Sequence, residues 1–332
     1  MNQRQLGAAG PSVSEAGLGC MGMSGIYGPV EDEESIRTIQ EAIEAGINLI
    51  DTGDFYGMGH NEMLIARAIQ GRRDKVLLSV KFGAMRTPTG TFSGFDARPV
   101  AVKNFLSYSL GRLGVDHIDI YRPSRLDPAV PIEETVGAIA DLIREGYVRY
   151  IGLSEVSAQT VRRAQKIHPI VDLQVEYSLV SRGIERDILP ALREMGIAVS
   201  AYGVLSRGLL GGSKPAGPKD LRAHFPRFTA ENLQHNARLV KVLEDIATEH
   251  GVSGPQLAIA WVLRQGQDIV PLLGPRTRQQ LRDGLGALSL ELSSEELRRI
   301  AAAVPAESVA GTRYDARQMA MLDSEQAAKA TS

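Results

Sequence analysis

Cysteine is almost absent: Cys20 is the only one in 332 residues. An intrachain disulfide is therefore impossible and a cysteine-built zinc site is excluded, so a reducing cytoplasm is the expected setting. Long apolar runs are also missing. The longest, such as Leu257 to Leu263, are far too short to span a bilayer, and Met1-Asn2-Gln3-Arg4-Gln5 lacks the apolar centre of a signal peptide. Neither sign of charge prevails. Lys+Arg 37 against Asp+Glu 39 gives a net charge of -2, which supplies no electrostatic attraction to a nucleic-acid backbone or an anionic membrane. The six histidines (His60, His117, His168, His224, His235 and His250) are scattered without metal-ligand spacing, so no metal is expected. No repeat at a fixed period and no linker divides the chain.

What is present is ample material for a core: 43% hydrophobic and 23% charged residues. Short apolar runs alternate with segments of helical periodicity, the pattern of a parallel sheet with covering helices. Strands are predicted at Glu15 to Met21, Ile47 to Ile50, Val76 to Val80, Ile118 to Tyr121, Tyr150 to Leu153, Leu173 to Tyr177, Ile197 to Tyr202 and Ile269 to Leu273. Eight is the number a closed (β/α)8 TIM barrel requires. Helices are predicted at Glu31 to Ala45, Val100 to Leu113, Ile132 to Glu145 and Leu239 to Glu249. The segment Leu6 to Ser14 reads as a β-hairpin capping the lower end of the barrel. Residues 204–236, rich in Gly, Pro and basic residues, break the alternation as a long loop after the seventh strand. The expectation is one barrel domain over 1–332 with a C-terminal tail, 305–332, whose last residues fray.

Gly17-Leu18-Gly19-Cys20-Met21-Gly22 matches the dinucleotide pattern GxGxxG. The residues that follow are unsuited to opening a helix, so no helix N-terminus is available for a pyrophosphate and the Rossmann reading is set aside. More informative are Asp51 and Tyr56, just beyond one strand, and Lys81, at the end of the next. In a barrel this rim collects catalytic groups. An ammonium beside a phenol favours the phenolate, so Lys81 is expected to lower the pKa of Tyr56, and Asp51 to hold the lysine charged and oriented. Met21, Met23, Tyr27 and Phe55 are expected to line the pocket mouth, with His60 near the substrate; Trp261 is expected in helix core.

With these residues in place, the chain resembles the aldo-keto reductase superfamily. Asp51-Thr52, Tyr56-Gly57, Lys81, Ile118-Asp119-Ile120-Tyr121, Gly152-Leu153-Ser154-Glu155, Gln174-Val175-Glu176-Tyr177-Ser178 and Arg207-Gly208-Leu209-Leu210 follow in the family's order. The resemblance runs from Leu6 to about Val304 and is nearest to the bacterial and plant single-chain members. It implies a barrel that reduces carbonyl compounds with NADPH, Tyr56 donating the proton and Lys81 and Asp51 tuning it. The family's fourth catalytic residue is a histidine, and Ser124 stands at that position. A serine hydroxyl is shorter and uncharged, and Arg122 or Arg125 could add a donor. The departure also resembles channel β subunits, which carry Asn there. It keeps open an NADPH-binding regulator with weak turnover, or an NADP-dependent alcohol or sugar dehydrogenase.

For the cofactor, the resemblance implies contacts from Gly19 and Met21, from Ser154 and Gln174 to the nicotinamide carboxamide, and from Tyr202 under the ring. It implies Gly203, Val204, Leu205, Ser206, Arg207 and Gly208 around the pyrophosphate. Gly274, Arg276 and Arg278 follow for the 2′-phosphate, with Gln280 and Asp283 at the adenine and Gly284 in place of the usual Asn. A planar guanidinium pairs well with phosphate oxygens, which favours NADPH over NADH.

Overall fold

The computed structural model describes residues 1–218 and 220–326. The chain opens with an antiparallel hairpin, β1 (Gln3–Gln5) and β2 (Ser12–Ser14), in which Gln3 pairs with Ser14. Leu6 and Val13 from this hairpin pack fully buried with Leu49, Ile120, Val171, Ala198, Val270 and Leu272, so it stoppers the barrel as expected. Arg4 anchors it, donating to the Leu263 carbonyl at 2.9 Å and the Gly266 carbonyl at 2.7 Å.

The barrel strands follow as β3 (Gly17–Gly19), β4 (Leu49–Gly53) and β5 (Leu77–Phe82). A small antiparallel excursion, β6 (Ala84–Arg86) with β7 (Phe92–Phe95), comes next. Then come β8 (Ile118–Pro123), β9 (Val148–Ser154), β10 (Ile170–Glu176), β11 (Ala198–Tyr202) and β12 (Ile269–Leu273). The order β3-β4-β5-β8-β9-β10-β11-β12 closes on itself with parallel pairing throughout. All eight predicted strands are therefore present, in a (β/α)8 barrel.

The helices show why the sequence folds this way. In α1 (Asp32–Glu44) the buried Ile36, Ile39 and Ile43 recur at helical spacing, and Asp32, Glu33 and Glu34 sit where the helix dipole favours anions. The ring continues with α2 (His60–Ala68), α3 (Pro99–Leu113), α4 (Ile132–Arg144), α5 (Ala158–Gln165) and α6 (Ile188–Met195). The run from Leu257 to Leu263 lies in α8 (Gly254–Leu263), buried nearly all round, with Trp261 in the core as expected. Among the described residues no helix is long and apolar enough to cross a membrane.

One expectation is corrected. Residues 204–236 do not form a long open loop. They fold into short turns at Ser206–Gly211, Leu221–His224 and Pro226–Phe228, and then α7 (Ala230–Glu249) begins nine residues before its predicted start. Buried Leu209, Phe225 and Phe228 hold this region together. The tail carries structure of its own. After α9 (Arg278–Gly286) and α10 (Ser294–Ala303), residues 306–326 build short turns and α11 (Ala316–Ala320). Asp323 fixes them to the barrel, accepting from Ser157 N and Thr160 Oγ1, both at 2.7 Å. The expectation of fraying falls on 327–332, outside the described residues.

Candidate active site

The C-terminal strand ends bring the expected residues together. Asp51, near the end of β4, and Lys81, near the end of β5, are both buried, and Lys81 Nζ donates to Asp51 Oδ1 at 2.5 Å. The other carboxylate oxygen accepts from Ser79 Oγ at 2.9 Å and Gln174 Nε2 at 2.7 Å. The network continues through the barrel interior. Arg122 donates to Ser79 Oγ at 3.0 Å and to Asp172 Oδ2 at 2.9 Å, and Ser200 donates to the same Asp172 oxygen at 2.5 Å. Asp51 is thus clamped from three sides, and the lysine is aimed by a buried, hydrogen-bonded scaffold.

Tyr56 stands above Lys81, with the Nζ atom 5.2 Å from its ring centre. It sits on a tight turn in which Gly57, Met58 and Gly59 all have positive φ, at 57°, 55° and 96°. A side chain at Gly57 would come within 3.0 Å of both Ser24 Cβ and His60 Cβ, so glycine is required there for space as well as for φ. Phe55 meets the Tyr56 ring edge-on at 4.8 Å. The Tyr56 hydroxyl makes no hydrogen bond among the described residues. Its pKa is pushed well above that of an ordinary phenol, first by burial and then by the Asp51 charge. The expectation that Lys81 lowers it is therefore corrected: the lysine charge is neutralised by Asp51, and desolvation prevails. Burial likewise moves the Lys81 pKa down, with Asp51 opposing.

Ser124 follows β8, buried, with its N–H on the Phe82 carbonyl at 2.8 Å and its hydroxyl without a partner among the described residues. Arg122 points inward, into the network below Asp51. Arg125 points to the mouth, donating to Tyr314 OH at 3.2 Å and lying 3.5 Å from Ser154 Oγ. Gln174 is hydrogen-bonded to Asp51. The Tyr202 hydroxyl donates to Glu155 at 2.7 Å and lies 3.1 Å from that of Tyr314. In the turn after β11, Gly203, Ser206, Arg207 and Gly208 have positive φ. Val204, Leu205 and Ser206 lie in the same turn, and the Arg207 guanidinium pairs with Glu176 at 3.1 Å and stacks 4.4 Å from the Tyr314 ring centre.

On the far side, Gly19 ends β3, Met21 opens the turn that follows, and Gly274 follows β12. Arg276 donates to the Tyr27 and Pro29 carbonyls at 2.9 and 3.0 Å, while its buried Nε has no partner among the described residues. Gln280 accepts from Arg276 N at 2.8 Å, and Asp283 lies 3.5 Å from Ser253 Oγ. Arg278 forms a bidentate pair with Glu34, from Nε to Oε1 at 3.2 Å and from Nη2 to Oε2 at 3.0 Å. Two pocket expectations change. Met23 belongs to the main core, and His60 is held between Ser24 Oγ at 3.0 Å and Asp32 at 3.2 Å.

Sequence reasoning missed the tail's part in this mouth. Arg313 pairs with Glu155 at 2.7 Å, and Tyr314 joins Arg125 to Tyr202. The only local signal was Glu155, an acid at a buried strand end.

A profile of the Aldo/keto reductase family matches residues 15–305. The chain belongs to the aldo/keto reductase family. Its members are oxidoreductases, and the similarity extends over nearly the whole chain. "Probable aldo-keto reductase 1" of Glycine max is 43% identical over 317 residues, covering 93% of this chain and 91% of that protein. Among solved structures, the glycerol dehydrogenase AKR11B4 from Gluconobacter oxydans superposes with TM-score 0.83 at 28% identity, covering 92% of this chain and 96% of the other. The holo form of aldo-keto reductase AKR11C1 from Bacillus halodurans gives TM-score 0.74 at 27% identity, covering 92% and 97%.

Proposed function

We propose that this aldo/keto reductase is a cytoplasmic, NADPH-dependent enzyme that reduces a small aldehyde or ketone, with Tyr56 as proton donor and neither nucleic acid nor membrane as partner. The observation that carries the reading is the Tyr56 hydroxyl. It has no intramolecular partner among the described residues and stands over a Lys81–Asp51 pair at the barrel rim. When bound, the nicotinamide supplies a hydride to the carbonyl carbon. The chain's own part is to place the carbonyl oxygen against Tyr56 and Ser124 and to deliver a proton as negative charge grows on that oxygen.

The raised pKa of Tyr56 bears on direction. An alkoxide is a stronger base than a phenolate, so a phenol that holds its proton tightly still gives it up to the developing alkoxide. Alcohol oxidation instead needs the phenolate, which burial and Asp51 disfavour. Tyr56 is thereby kept protonated at neutral pH, the state a proton donor in reduction needs.

Support for the cofactor comes from the residues beside α9. Arg276 has no carboxylate partner among the described residues, and its Nε is a buried donor without an acceptor, which suits a phosphate. Arg278 is already paired with Glu34, so Arg276 is the residue assigned to the 2′-phosphate. Ser154, Gln174 and Tyr202 end neighbouring strands, which suits them to hold a nicotinamide. The test follows NADPH absorbance with a panel of aldehydes and ketones, and cofactor binding by fluorescence, in the wild type and Arg276→Met. Turnover, with a loss of NADPH affinity in the variant that NADH does not share, is the expected result. Tight NADPH binding without turnover on any member would instead favour a regulatory role.

A further inference from the structure

Most of the charged side chains inside the barrel mouth have a partner of opposite sign. Lys81 pairs with Asp51, Arg122 with Asp172, Arg313 with Glu155, and Arg207 and Arg227 share Glu176. Arg125 has no carboxylate partner among the described residues. Its hydrogen bonds go to neutral oxygens only: the Ser124 carbonyl at 2.6 Å, Tyr314 OH at 3.2 Å and Ser154 Oγ at 3.5 Å. Arg276 also lacks a carboxylate, but it lies beside α9, where the reading above places the cofactor phosphate.

Arg125 stands at the reacting centre. It directly follows Ser124, whose buried hydroxyl has no partner among the described residues, and its charge acts on both Tyr56 and Lys81. The half-buried guanidinium has no carboxylate against it among the described residues, and an anion with two oxygens in one plane matches its fork.

We propose that Arg125 is a specificity-determining residue that binds a carboxylate next to the reacting carbonyl, so that the preferred substrates are 2-oxo acids. The inference rests on the reductase reading above and names its substrate class. The carbonyl oxygen lies between the Tyr56 and Ser124 hydroxyls, and the carboxylate lies on Arg125. The carbonyl carbon gains a hydride, the C=O π bond opens, and the oxygen takes the Tyr56 proton, giving a 2-hydroxy acid. NADPH is oxidised to NADP+, Tyr56 regains a proton from solvent, and the carboxylate keeps its charge throughout. The arrangement also accounts for the missing histidine. The substrate is gripped through its own charge, so the oxygen needs only a short neutral donor at position 124.

The test compares phenylglyoxylate with its methyl ester, which differ at the carboxylate. The wild type is expected to show a kcat/KM at least about tenfold higher for the acid, and Arg125→Met to bring that ratio towards one, with Arg125→Lys between. An acid no better than its ester, or a ratio unchanged in Arg125→Met, would overturn the proposal. A second measurement does not need turnover. Calorimetric titration of mandelate, the hydroxy-acid product, into the protein saturated with NADP+ is expected to give binding that Arg125→Met loses even at saturating cofactor. Mandelate binding that is absent in the wild type, or equal in the variant, would overturn the inference. Failure of NADPH to bind at all would instead strike the reductase reading.

Discussion

Glu155, one residue beyond β9, and Arg313, 158 residues later in the tail, form a buried two-pronged ion pair with contacts of 2.8 and 2.7 Å. The pair ties the tail to the rim of the barrel. Burial alone would raise the Glu155 pKa, but the charge and hydrogen bonds of Arg313 outweigh it and hold the carboxyl well below the usual range. A depressed folded-state pKa gives stability that is present above the unfolded pKa and is lost as pH falls below it.

The first prediction is that Arg313→Leu destabilises the protein by about 3 to 5 kcal/mol in urea unfolding at neutral pH, because it leaves Glu155 buried and unpaired. The deficit shrinks on acidification towards the range where an unfolded glutamate takes up its proton. A variant as stable as the wild type at neutral pH would show that the tail is not fastened by this pair.

Gly152→Ala tests the interior network. A Cβ on Gly152 would stand 2.5 Å from Asp172 Oδ1 and 2.8 Å from Arg122 Cζ, and neither can retreat, because each is hydrogen-bonded to further barrel residues. Overpacking of this kind costs about 1 to 3 kcal/mol or more. Because Arg122 also holds Ser79 against Asp51, kcat is expected to fall with stability, while Ser79→Ala should lower kcat with a smaller loss of stability.

Asp54 supplies a pH dependence near neutrality. It is buried two residues before Tyr56, with its N–H on the Lys81 carbonyl at 2.9 Å. Burial, reinforced by the nearby Glu62 charge and opposed by Arg112, raises its pKa to about 7. With the folded pKa above the unfolded one, the stabilising contribution is present at low pH and is lost as pH rises through about 7. Asp54→Asn is expected to match the wild type below the ordinary aspartate range, to exceed its stability progressively as pH rises from there to about 7, and to keep a constant advantage above it, as measured by thermal unfolding across pH. A constant difference at every pH would contradict the assignment.

The barrel was legible because each buried strand is a short apolar run between helical periods, a signal contained in a few adjacent residues. The excursion Ala84–Arg86 with Phe92–Phe95 was not, since its Thr and Gly content reads as loop. The start of α7 was missed because Ala230 to Arg238 carries few apolar residues to show its period. Asp51, Tyr56 and Lys81 were read from their places at strand ends, and Ser124 from the resemblance to the family. The sign of the Tyr56 shift was not, because it depends on how fully Asp51 neutralises Lys81, a matter of burial and distance. The charge matching that singles out Arg125 involves partners in the tail, which no local pattern links to the rim.

The central claim is that Tyr56 supplies the proton for carbonyl reduction, and the most direct test is NADPH oxidation by Tyr56→Phe with the best aldehyde or ketone found for the wild type. Phenylalanine keeps the ring against Phe55 and Lys81 and removes only the hydroxyl. The account predicts a fall in kcat of about 10²-fold or more with NADPH affinity unchanged by fluorescence titration. A variant that turns over at the wild-type rate would contradict it.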